Sequence, residues 1–576
     1  MQSGLRARTS QGSRFSPYVV PASPSTRLSL AATTTPRLVG MRALRAVVGS
    51  SFVLALGAAC SEGAAPSSTG TEEDASGHHA GSAGASAVTR PGAGSANAVV
   101  SGATGCAGRL EPVEPSGKLE TVGDGTRESC TLQALESALA VLNDAEGGGT
   151  LTFDCGGEHT FELDSSLRVK STLVMDGGGV ITLSGGGRVR VLELDHHVDF
   201  VIQRVTIRDG FVAAGSENES GAGLLHPWFG TLKVIDATFE NNSSESEDHD
   251  VGGGAIYAGG LTEAIISGST FVGNSGSTGG AVLSRSTNLR VVESVFADNA
   301  ATTWAEAGQY GNGGGLYIDR LWLDDPIDFS ICGSIFDGNN AKVHGSALFS
   351  YNLEGGRALI DSCTFRNNDM QGSPGGGTGT VYHEGVPLDL VRSTFSGNTT
   401  GAHASGLFLG GGSDARIENC TFANNRTPGN AGALWAGNGD VEVVSTTFSG
   451  NDADYGPAIF KGSSGTVSLT NVLLVNNTTA NEYSAVACHE TFRDGGGNVQ
   501  WPNVKNNGNA DTPCAEGVLF ADPELLPLAD NGGPTETLAL RLGSPAIDVA
   551  SDCPERDQRG EPRVGACDSG AFEYRP

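Results

Sequence analysis

The sequence predicts an all-β protein whose bulk is a right-handed parallel β-helix, closed by a short N-terminal helical cap and a C-terminal capping domain. Three observations lead to this fold class. A Phe-x-x-Asn motif recurs nine times, with Leu in place of Phe in the last copy. A glycine-rich motif recurs between those copies, and the connecting runs are short, β-rich and without helical period.

The Phe-x-x-Asn motif returns at intervals of 25 to 40 residues, and an aliphatic residue stands five positions before each Phe. One such unit cannot bury its own apolar face. Stacked units can, because each coil pairs its backbone with the next at about 4.8 Å. We therefore expect columns of Phe and columns of Asn, in which each Asn satisfies turn backbone and its neighbours' amides. The predicted structural Asn ladder comprises Asn242, Asn274, Asn299, Asn339, Asn368, Asn398, Asn425, Asn451 and Asn477.

A β-propeller is the alternative architecture for a repeat of this kind. Its blades need about 40 residues for four strands, and most copies here are shorter. The length variation also falls in the turns, which suits insertions in a solenoid. We therefore prefer the β-helix.

The glycine-rich motif places an aromatic residue directly after an aliphatic one in seven of eight copies, with Leu283 as the exception. On a regular strand these two residues point to opposite faces, which predicts an external aromatic binding stripe. A bend that turns both residues inward would instead place the aromatics in the core, and we favour this interpretation. The aromatic residues are Tyr257, Tyr317, Phe349, Tyr382, Phe408, Trp435 and Phe460.

The chain divides by composition into six segments. The predicted segments are a non-native N-terminal extension (1–40), a lipoprotein-type signal peptide (41–60), a disordered Ser/Gly-rich tether (61–105), an N-terminal cap with the first strands (106–185), the parallel β-helix repeats (186–480) and a C-terminal capping domain (481–576). In the cap, Ser129-Cys130-Thr131 precedes an amphipathic helix that begins at Leu132 and is stopped by Gly147-Gly148-Gly149.

The segment from Met41 to Cys60 indicates export. Two arginines precede an apolar run from Ala46 to Leu56, which is too short to span a bilayer. The following Gly57-Ala58-Ala59-Cys60 resembles a bacterial lipoprotein signal, which implies lipid attachment at Cys60. An ordinary signal peptide cut near Ala59 is the alternative.

The cysteines support an oxidising location, since ten remain once Cys60 is set aside. We predict disulfides between Cys553 and Cys567 and between Cys488 and Cys514, and one more among Cys106, Cys130 and Cys155. Cys363 and Cys420 occupy the small position two residues before Phe, two coils apart. At about 9.6 Å they are too distant for a disulfide, so we predict buried free thiols acting as small apolar residues.

The formal net charge of −30 repels nucleic acid and anionic lipid, so we exclude nucleic-acid partners and membrane binding through charge. Membrane attachment would then come from the N-terminal lipid alone. The acidic surface suits solubility and leaves room for weak Ca²⁺ binding, and we expect no cofactor.

Three family resemblances emerge from the motifs. The cap followed by Val205-Thr-Ile-Arg-Asp209 resembles pectin-lyase-like β-helices, and the paired repeat motifs resemble those of polymorphic outer-membrane proteins, which are adhesin-like. The tail, with Leu528-Ala-Asp-Asn-Gly-Gly-Pro-Thr535, Asp557-Gln-Arg-Gly560 and a Gly-Ala-Phe-Glu-Tyr ending at Tyr574, resembles the choice-of-anchor Q domain of bacterial surface proteins. These resemblances imply surface display.

A polysaccharide-cleaving activity would need converging acids and a base. Related galacturonases carry four such motifs, of which Asp324-Asp325 is the one found here, and it is typical of a turn. His383-Glu384, His489-Glu490 and Asp195-His196-His197 are isolated, and the last lacks a third zinc ligand at the right spacing. We assign no catalytic residue and no metal ligand.

The sequence therefore favours an exported protein, extracellular or on the outer membrane, either lipid-anchored or secreted and monomeric. We expect a non-catalytic, adhesin-like protein that binds a glycan or a cell-surface partner. The alternatives are a polysaccharide lyase or glycoside hydrolase of the pectin-lyase-like fold, and a passive envelope component.

Overall fold

The computed structural model describes residues 108–576, apart from 247, 249–250, 303–310, 321–326, 353–354 and 371–376. Cys60 and Asp324-Asp325 lie outside the described residues. The architecture is a right-handed parallel β-helix, which confirms the predicted fold class. Among the described residues, no helix combines the length and apolar character needed to cross a bilayer.

The N-terminal cap closes the first coil with a short strand and a helix. Strand Lys118–Val122 precedes a 3₁₀ turn at Arg127–Ser129 and helix α1 at Leu132–Asn143. The Thr131 side chain accepts a hydrogen bond from the Ala134 amide at 3.1 Å, so Thr131 caps α1. Leu135, Leu139 and Leu142 are buried against the rod. A disulfide joins Cys130, just before α1, to Cys155.

Sheet A forms two adjoining sides of each coil, and two long strands turn the corner between these sides without interruption. The strands of its first side are Lys118–Val122, Gly149–Phe153, Leu173–Ser184, Val198–Arg208, Gly230–Ile235, Glu263–Ser267, Asn288–Val292, Phe329–Cys332, Ala358–Asp361, Leu388–Val391, Ala415–Glu418, Asp440–Val444, Thr466–Thr470 and Arg493–Asp494. Leu173–Ser184 and Val198–Arg208 run on into the second side. Its remaining strands are His159–Glu162, Thr238–Glu240, Thr270–Val272, Val295–Ala297, Ile335–Asp337, Thr364–Arg366, Thr394–Ser396, Thr421–Ala423, Thr447–Ser449, Leu473–Val475, Val499–Trp501 and Leu519–Phe520.

Sheets B and C complete the coil. Sheet B contains Leu167–Val169, Leu192–Leu194, Leu224–His226, Ile256–Gly259, Val282–Arg285, Leu316–Asp319, Leu348–Asn352, Val381–Gly385, Leu407–Leu409, Leu434–Ala436 and Ile459–Lys461. The short sheet C contains Phe211–Val212, Ser243–Ser244, Ser275–Gly276, Ala300–Ala301 and Asn340–Ala341. All pairs in sheets A, B and C are parallel, so each coil is hydrogen-bonded to the coils above and below it.

The phenylalanines of the repeat form a column inside the rod. Phe239 pairs with Phe271, which pairs with Phe296, and the register continues to Phe448 above Leu474. Neighbouring ring centroids lie between 4.7 and 5.2 Å apart, and the rings are fully buried. The burial of this column is therefore achieved between coils, because each ring packs on the ring of the next coil.

The repeat asparagines form a buried, hydrogen-bonded column. In the middle of the rod, Asn368 Nδ2 donates to Asn398 Oδ1 at 3.0 Å and to the Phe336 carbonyl at 3.0 Å, while the Asn368 amide also donates to Asn398 Oδ1. The same pattern runs from Asn242 at one end to Asn477 at the other. Each side chain thereby satisfies backbone groups at the turn as well as its neighbour's amide.

A left-handed residue stands just before each ladder asparagine and turns the coil. Asn241, Asp298 and Asn367 have φ of 55°, 54° and 55°, and Gly273 and Gly338 take the same conformation in other coils. Asn, Asp and Gly are the residues that adopt this region at least cost. The restriction is visible in the sequence as Phe-x-[Asn/Asp/Gly]-Asn.

Cys363 and Cys420 are buried free thiols, as predicted. They replace serines in a column whose side chains hydrogen-bond to backbone. The Ser393 amide donates to Cys420 Sγ at 3.5 Å, and Cys420 Sγ lies 3.2 Å from the Glu418 carbonyl. The prediction that they act simply as apolar residues therefore needs correction, because the thiols stand in for hydroxyls as weak hydrogen-bonding groups.

The C-terminal tail folds back along the outside of the rod. Parallel pairing continues past residue 480 to Leu519–Phe520, and a disulfide joins Cys488 to Cys514 there. An antiparallel pair follows, Leu525–Ala529 with Leu538 and its neighbours in Thr537–Leu540. The remaining chain, with a disulfide between Cys553 and Cys567, then lies against sheet A.

Threonines on three successive coils dock this tail. Gln558 Nε2 donates to Thr394 Oγ1 at 2.7 Å, Thr421 Oγ1 donates to Gln558 Oε1 at 2.6 Å, and the Ala571 amide donates to Thr447 Oγ1 at 3.0 Å. The tail is thus docked on the side of the rod, across the three coils that contain Thr394, Thr421 and Thr447.

Candidate functional site: the outer face of sheet B

The two faces of sheet B differ in composition because its strands alternate regularly. Ile256, Leu316, Val381 and Leu407 point inward and belong to the continuous core of the rod. The residue after each of them points to the opposite face, where a separate apolar cluster forms. The inward bend that we favoured from the sequence is therefore absent, and the aromatic residues lie on the outside.

The outer aromatics from Tyr317 to Phe460 form an unbroken ladder. Ring centroids are 4.9 Å apart for Tyr317–Phe349 and for Phe349–Tyr382, and 5.0 Å for Tyr382–Phe408. The stack continues from Phe408 through Trp435 to Phe460 at 5.4 and 4.6 Å. Tyr257 shares this column on the other side of Leu283.

His489 extends the ladder by one further ring, and sequence reasoning missed it. Its imidazole stacks on Phe460 with centroids 4.2 Å apart. Burial lowers the pKa of His489, so the ring is neutral at pH 7. The sequence signal was weak because this coil lacks the glycine-rich motif. In the structure, a parallel bridge from Ile459 to Cys488 places His489 in register with Phe460.

The ladder offers ring edges outward and hides its ring faces. Neighbouring planes from Tyr317 to Phe460 are inclined by no more than 29°, so each inner ring is covered on both faces by its neighbours. Tyr317 and Phe349 are only 8% and 7% exposed, and the rings from Tyr382 to Phe460 are half-buried. A sugar ring therefore cannot stack on an inner aromatic face; contacts must be made at the edges.

Two tyrosines of the ladder have a carboxylate two residues later on the same outer face. Tyr382 Oη donates to Glu384 Oε2 at 2.7 Å, and Tyr317 Oη donates to Asp319 Oδ2 at 3.4 Å. Burial, and then the hydrogen bond to Glu384, raises the pKa of Tyr382 far above its usual range. The Tyr382 hydroxyl is therefore always protonated and fixes the Glu384 carboxylate along the edge of the ladder.

Gly410 makes room for this carboxylate. A Cβ at Gly410 would lie 2.7 Å from Glu384 Oε2 and 3.0 Å from Tyr382 Oη. The glycine-rich composition of this coil is thus partly explained by the close approach of the pair from the neighbouring coil.

A cleft of about 800 Å³ opens at the N-terminal end of the same face. Its floor includes Arg168, Glu193 and Leu225, which are paired in register with one another and lead directly to Tyr257. Arg168 Nη2 lies 3.0 Å from Glu193 Oε1 and 3.5 Å from Asp195 Oδ1. The aromatic column is therefore continued by charged side chains that line a concave surface.

The histidines singled out in the sequence have different surroundings and do not form one site. His196 lines the cleft and His197 stacks on exposed Phe229 at 4.6 Å. His383 points into the rod, where its Nδ1 lies 2.6 Å from Ser350 Oγ and its Nε2 2.7 Å from the Val386 carbonyl. Burial lowers the pKa of His383 to about 4. This Ser–His pair lies inside the core, 1% exposed or less, out of reach of any substrate.

Within the described part of the chain, no three His, Cys, Asp or Glu side chains converge in a way that could hold a metal ion. Asp195 and His196 both line the cleft, which also contains three arginines. The geometry supports binding through hydrogen bonds and ring edges.

Two family models match the coiled region. The right-handed beta helix region matches residues 380–507, and the Chlamydia polymorphic membrane protein repeat matches residues 236–259. The resemblance to polymorphic-type β-helix repeats is thereby confirmed. The crystal structure of PfbA, a surface adhesin of Streptococcus pneumoniae, is 12% identical, with a TM-score of 0.35, covering 74% of this chain and 100% of that one. No curated protein matches the chain.

Proposed function

We propose that this chain is an exported, surface-displayed protein that binds a glycan or another cell-surface partner without catalysing a reaction on it. The observation that carries the proposal is the ladder of rings with carboxylates beside it, in register along one face of the rod. Such a surface presents a ring edge at each coil from Tyr317 to Phe460 and a carboxylate at two of these coils, which suits a long partner lying parallel to the rod.

The chemistry of the ladder edge favours a partner rich in hydroxyl groups. Aromatic edges carry partial positive charge, so they favour contact with oxygen atoms. Carboxylates such as Glu384 accept hydrogen bonds from hydroxyls, and charge-assisted hydrogen bonds of this kind are the stronger ones. A glycan presents both kinds of group at regular intervals.

The mode of display is part of the same proposal. Lipid attachment at Cys60, a tether over 61–105 and an extracellular or outer-membrane location follow from the sequence pattern, and the tail continues the choice-of-anchor Q resemblance. We propose a monomer held to the membrane by the N-terminal lipid alone, with weak Ca²⁺ binding by its acidic surface and no other cofactor.

A glycan array and intact-cell binding assay with the full chain tests the function. We expect retention on one class of glycan or cell, and a loss of about tenfold or more in the double variant Tyr382→Phe/Glu384→Gln, which removes the polar edge and keeps the rings. Glu442→Gln is the matched control, because Glu442 is an exposed, ion-paired carboxylate on the outer face of sheet A. Equal binding by both variants would contradict the proposed use of this face.

The enzyme alternative has its own readout. A lyase or hydrolase would shorten acidic or neutral polysaccharides, which size-exclusion chromatography of the polymer detects. Turnover of any polymer in such a panel would overturn the non-catalytic proposal, and binding to no glycan and no cell would favour a passive envelope component.

A further inference from the structure

The cleft at the N-terminal end of sheet B has the size of a ligand site. Its volume of about 800 Å³ falls within the range of roughly 300–1,000 Å³ that is typical of small-molecule sites. Its walls come from four separate segments, 164–168, 188–196, 211–218 and 225–228. The walls therefore depend on the tertiary fold of the first coils.

One wall is held rigid by a buried arginine. The Arg190 side chain is 10% exposed, and its Nη2 donates to the Asn218 carbonyl at 2.6 Å and the Ser220 carbonyl at 3.2 Å, while Nε donates to Gly221. Nη1 also bonds Glu193 Oε2 at 3.2 Å. Arg190 thus fixes the loop 216–221 against the floor of the cleft.

The charges lining the cleft nearly cancel. Three guanidinium groups, including Arg168 and Arg190, face four carboxylates, including Glu193 and Asp195. An anionic ligand would meet the carboxylates, and a cationic one would meet the arginines. A ligand without polar groups would leave these charges desolvated and unpaired, which is costly. A neutral ligand with many hydrogen-bonding groups fits this lining best.

The geometry of the ion pairs specifies such a ligand further. Arg168 and Glu193 place a donor and an acceptor 3.0 Å apart on the floor, and Arg168 is 58% exposed. Adjacent hydroxyls of one sugar ring can accept from the first and donate to the second. Trp228 adds an indole to the wall, and this indole packs closely on Gly260, where an added Cβ would lie 2.1 Å from Trp228 Cε3. Aromatic and hydroxyl-binding groups are thereby combined in one concave site.

We propose that this cleft binds a neutral saccharide unit, with Arg168 and Glu193 holding vicinal hydroxyls. This inference rests on the proposed function and names the class of its ligand: the cleft takes the end or a branch of a neutral glycan whose chain lies along the aromatic ladder. The register from Arg168 through Leu225 to Tyr257 joins the two surfaces.

The test is saturation-transfer NMR and calorimetry of the full chain with maltose, lactose and cellobiose, with glucuronate and glucosamine as charged counterparts. We expect at least one neutral disaccharide to bind in preference to both charged sugars, with little dependence on ionic strength. Arg168→Ala and, separately, Glu193→Gln should weaken that binding about tenfold.

Arg416→Ala is the matched control, since Arg416 is 45% exposed and pairs with Glu418 and Glu442 on another face. Its binding should equal that of the parent, and thermal melts of each variant identify any loss of fold. Absence of binding to all three disaccharides, preference for a charged sugar, or equal weakening by Arg168→Ala and Arg416→Ala would overturn the proposal.

The two proposals fail separately. If arrays or cells bind through Glu384 while free disaccharides do not bind, the cleft proposal is wrong and the proposed function stands. If disaccharides bind through Arg168 while no array or cell binds, the display function is wrong and the cleft remains a saccharide site.

Discussion

Two stacked aromatic columns run along the same coils, one inside the rod and one outside. Ring spacings are nearly identical, 4.7–5.2 Å for the inner phenylalanines and 4.6–5.4 Å for the outer ladder from Tyr317 to Phe460. The inner rings are fully buried, whereas most outer rings are half-buried. The coil repeat dictates the stacking in both columns, and burial decides what each column can do.

The difference is visible in the residues that each column accepts. The inner column holds Phe from Phe239 to Phe448, followed by Leu474. The outer column mixes Tyr, Trp, Phe and His, since a hydroxyl or ring nitrogen at the edge can find water or a carboxylate. The inner column therefore stabilises the fold, and the outer column is available to bind a partner.

Phe395→Ala should break the inner column with the largest effect. Removal of a fully buried phenylalanine between Phe365 and Phe422 leaves a cavity that costs about 3–5 kcal/mol. Urea unfolding followed by circular dichroism should show a clear fall of the midpoint. A midpoint unchanged from the parent would contradict the role of stacking between coils.

Acid should lower the free energy of unfolding through His383, whose side chain points into the rod. Its pKa falls from 6.5 in the unfolded chain to about 4 in the fold, so the unfolded state binds more protons between these values. This contribution to stability is complete above about pH 6.5 and is lost as the pH falls towards 4. Between pH 7 and pH 5 the loss amounts to about 2 kcal/mol.

His383→Gln measures this contribution by comparison with the parent. The difference in unfolding free energy between pH 7 and pH 5 should be smaller in the variant, because its side chain does not titrate. The carboxylates titrate alike in both proteins, so they cancel. An equal pH dependence in the two proteins would show that His383 is not held neutral by burial.

Phe408→Ala, on the outer ladder, should have the smallest effect on stability. Phe408 is half-buried, so about half of the roughly 1.5–3 kcal/mol for full burial is at stake, or about 1 kcal/mol. Binding of the partner should fall more than the melting temperature does. A loss as large as that of Phe395→Ala would show that the ladder is core in energetic terms.

The repeat made the interior predictable. Phe395 and Asn398 recur at fixed positions, and a recurring position must stack on itself when coils are in register. The Cys488–Cys514 and Cys553–Cys567 disulfides and the Thr131 cap could also be found from local spacing. The candidate site was less predictable, because the direction of the outer aromatics depended on whether the strand bends there.

Other parts of the site left little trace in the sequence. His489 joins the ladder through a coil without the glycine-rich motif. The cleft gathers Arg168, Arg190 and Trp228 from segments about 20 to 60 residues apart, and nothing local marks them as neighbours. The lateral position of the tail is set by Gln558 and Thr421, which lie 137 residues apart.

By itself the sequence determined the coil, its repeat and the identity of its inner columns, because these follow from short-range patterns that recur in every coil. Only the tertiary structure decided which ring edges face outward, that ring faces are hidden by stacking, and where charged groups meet in a cleft. Those properties depend on which coils are adjacent, because the burial of a side chain is determined by the coils that pack around it.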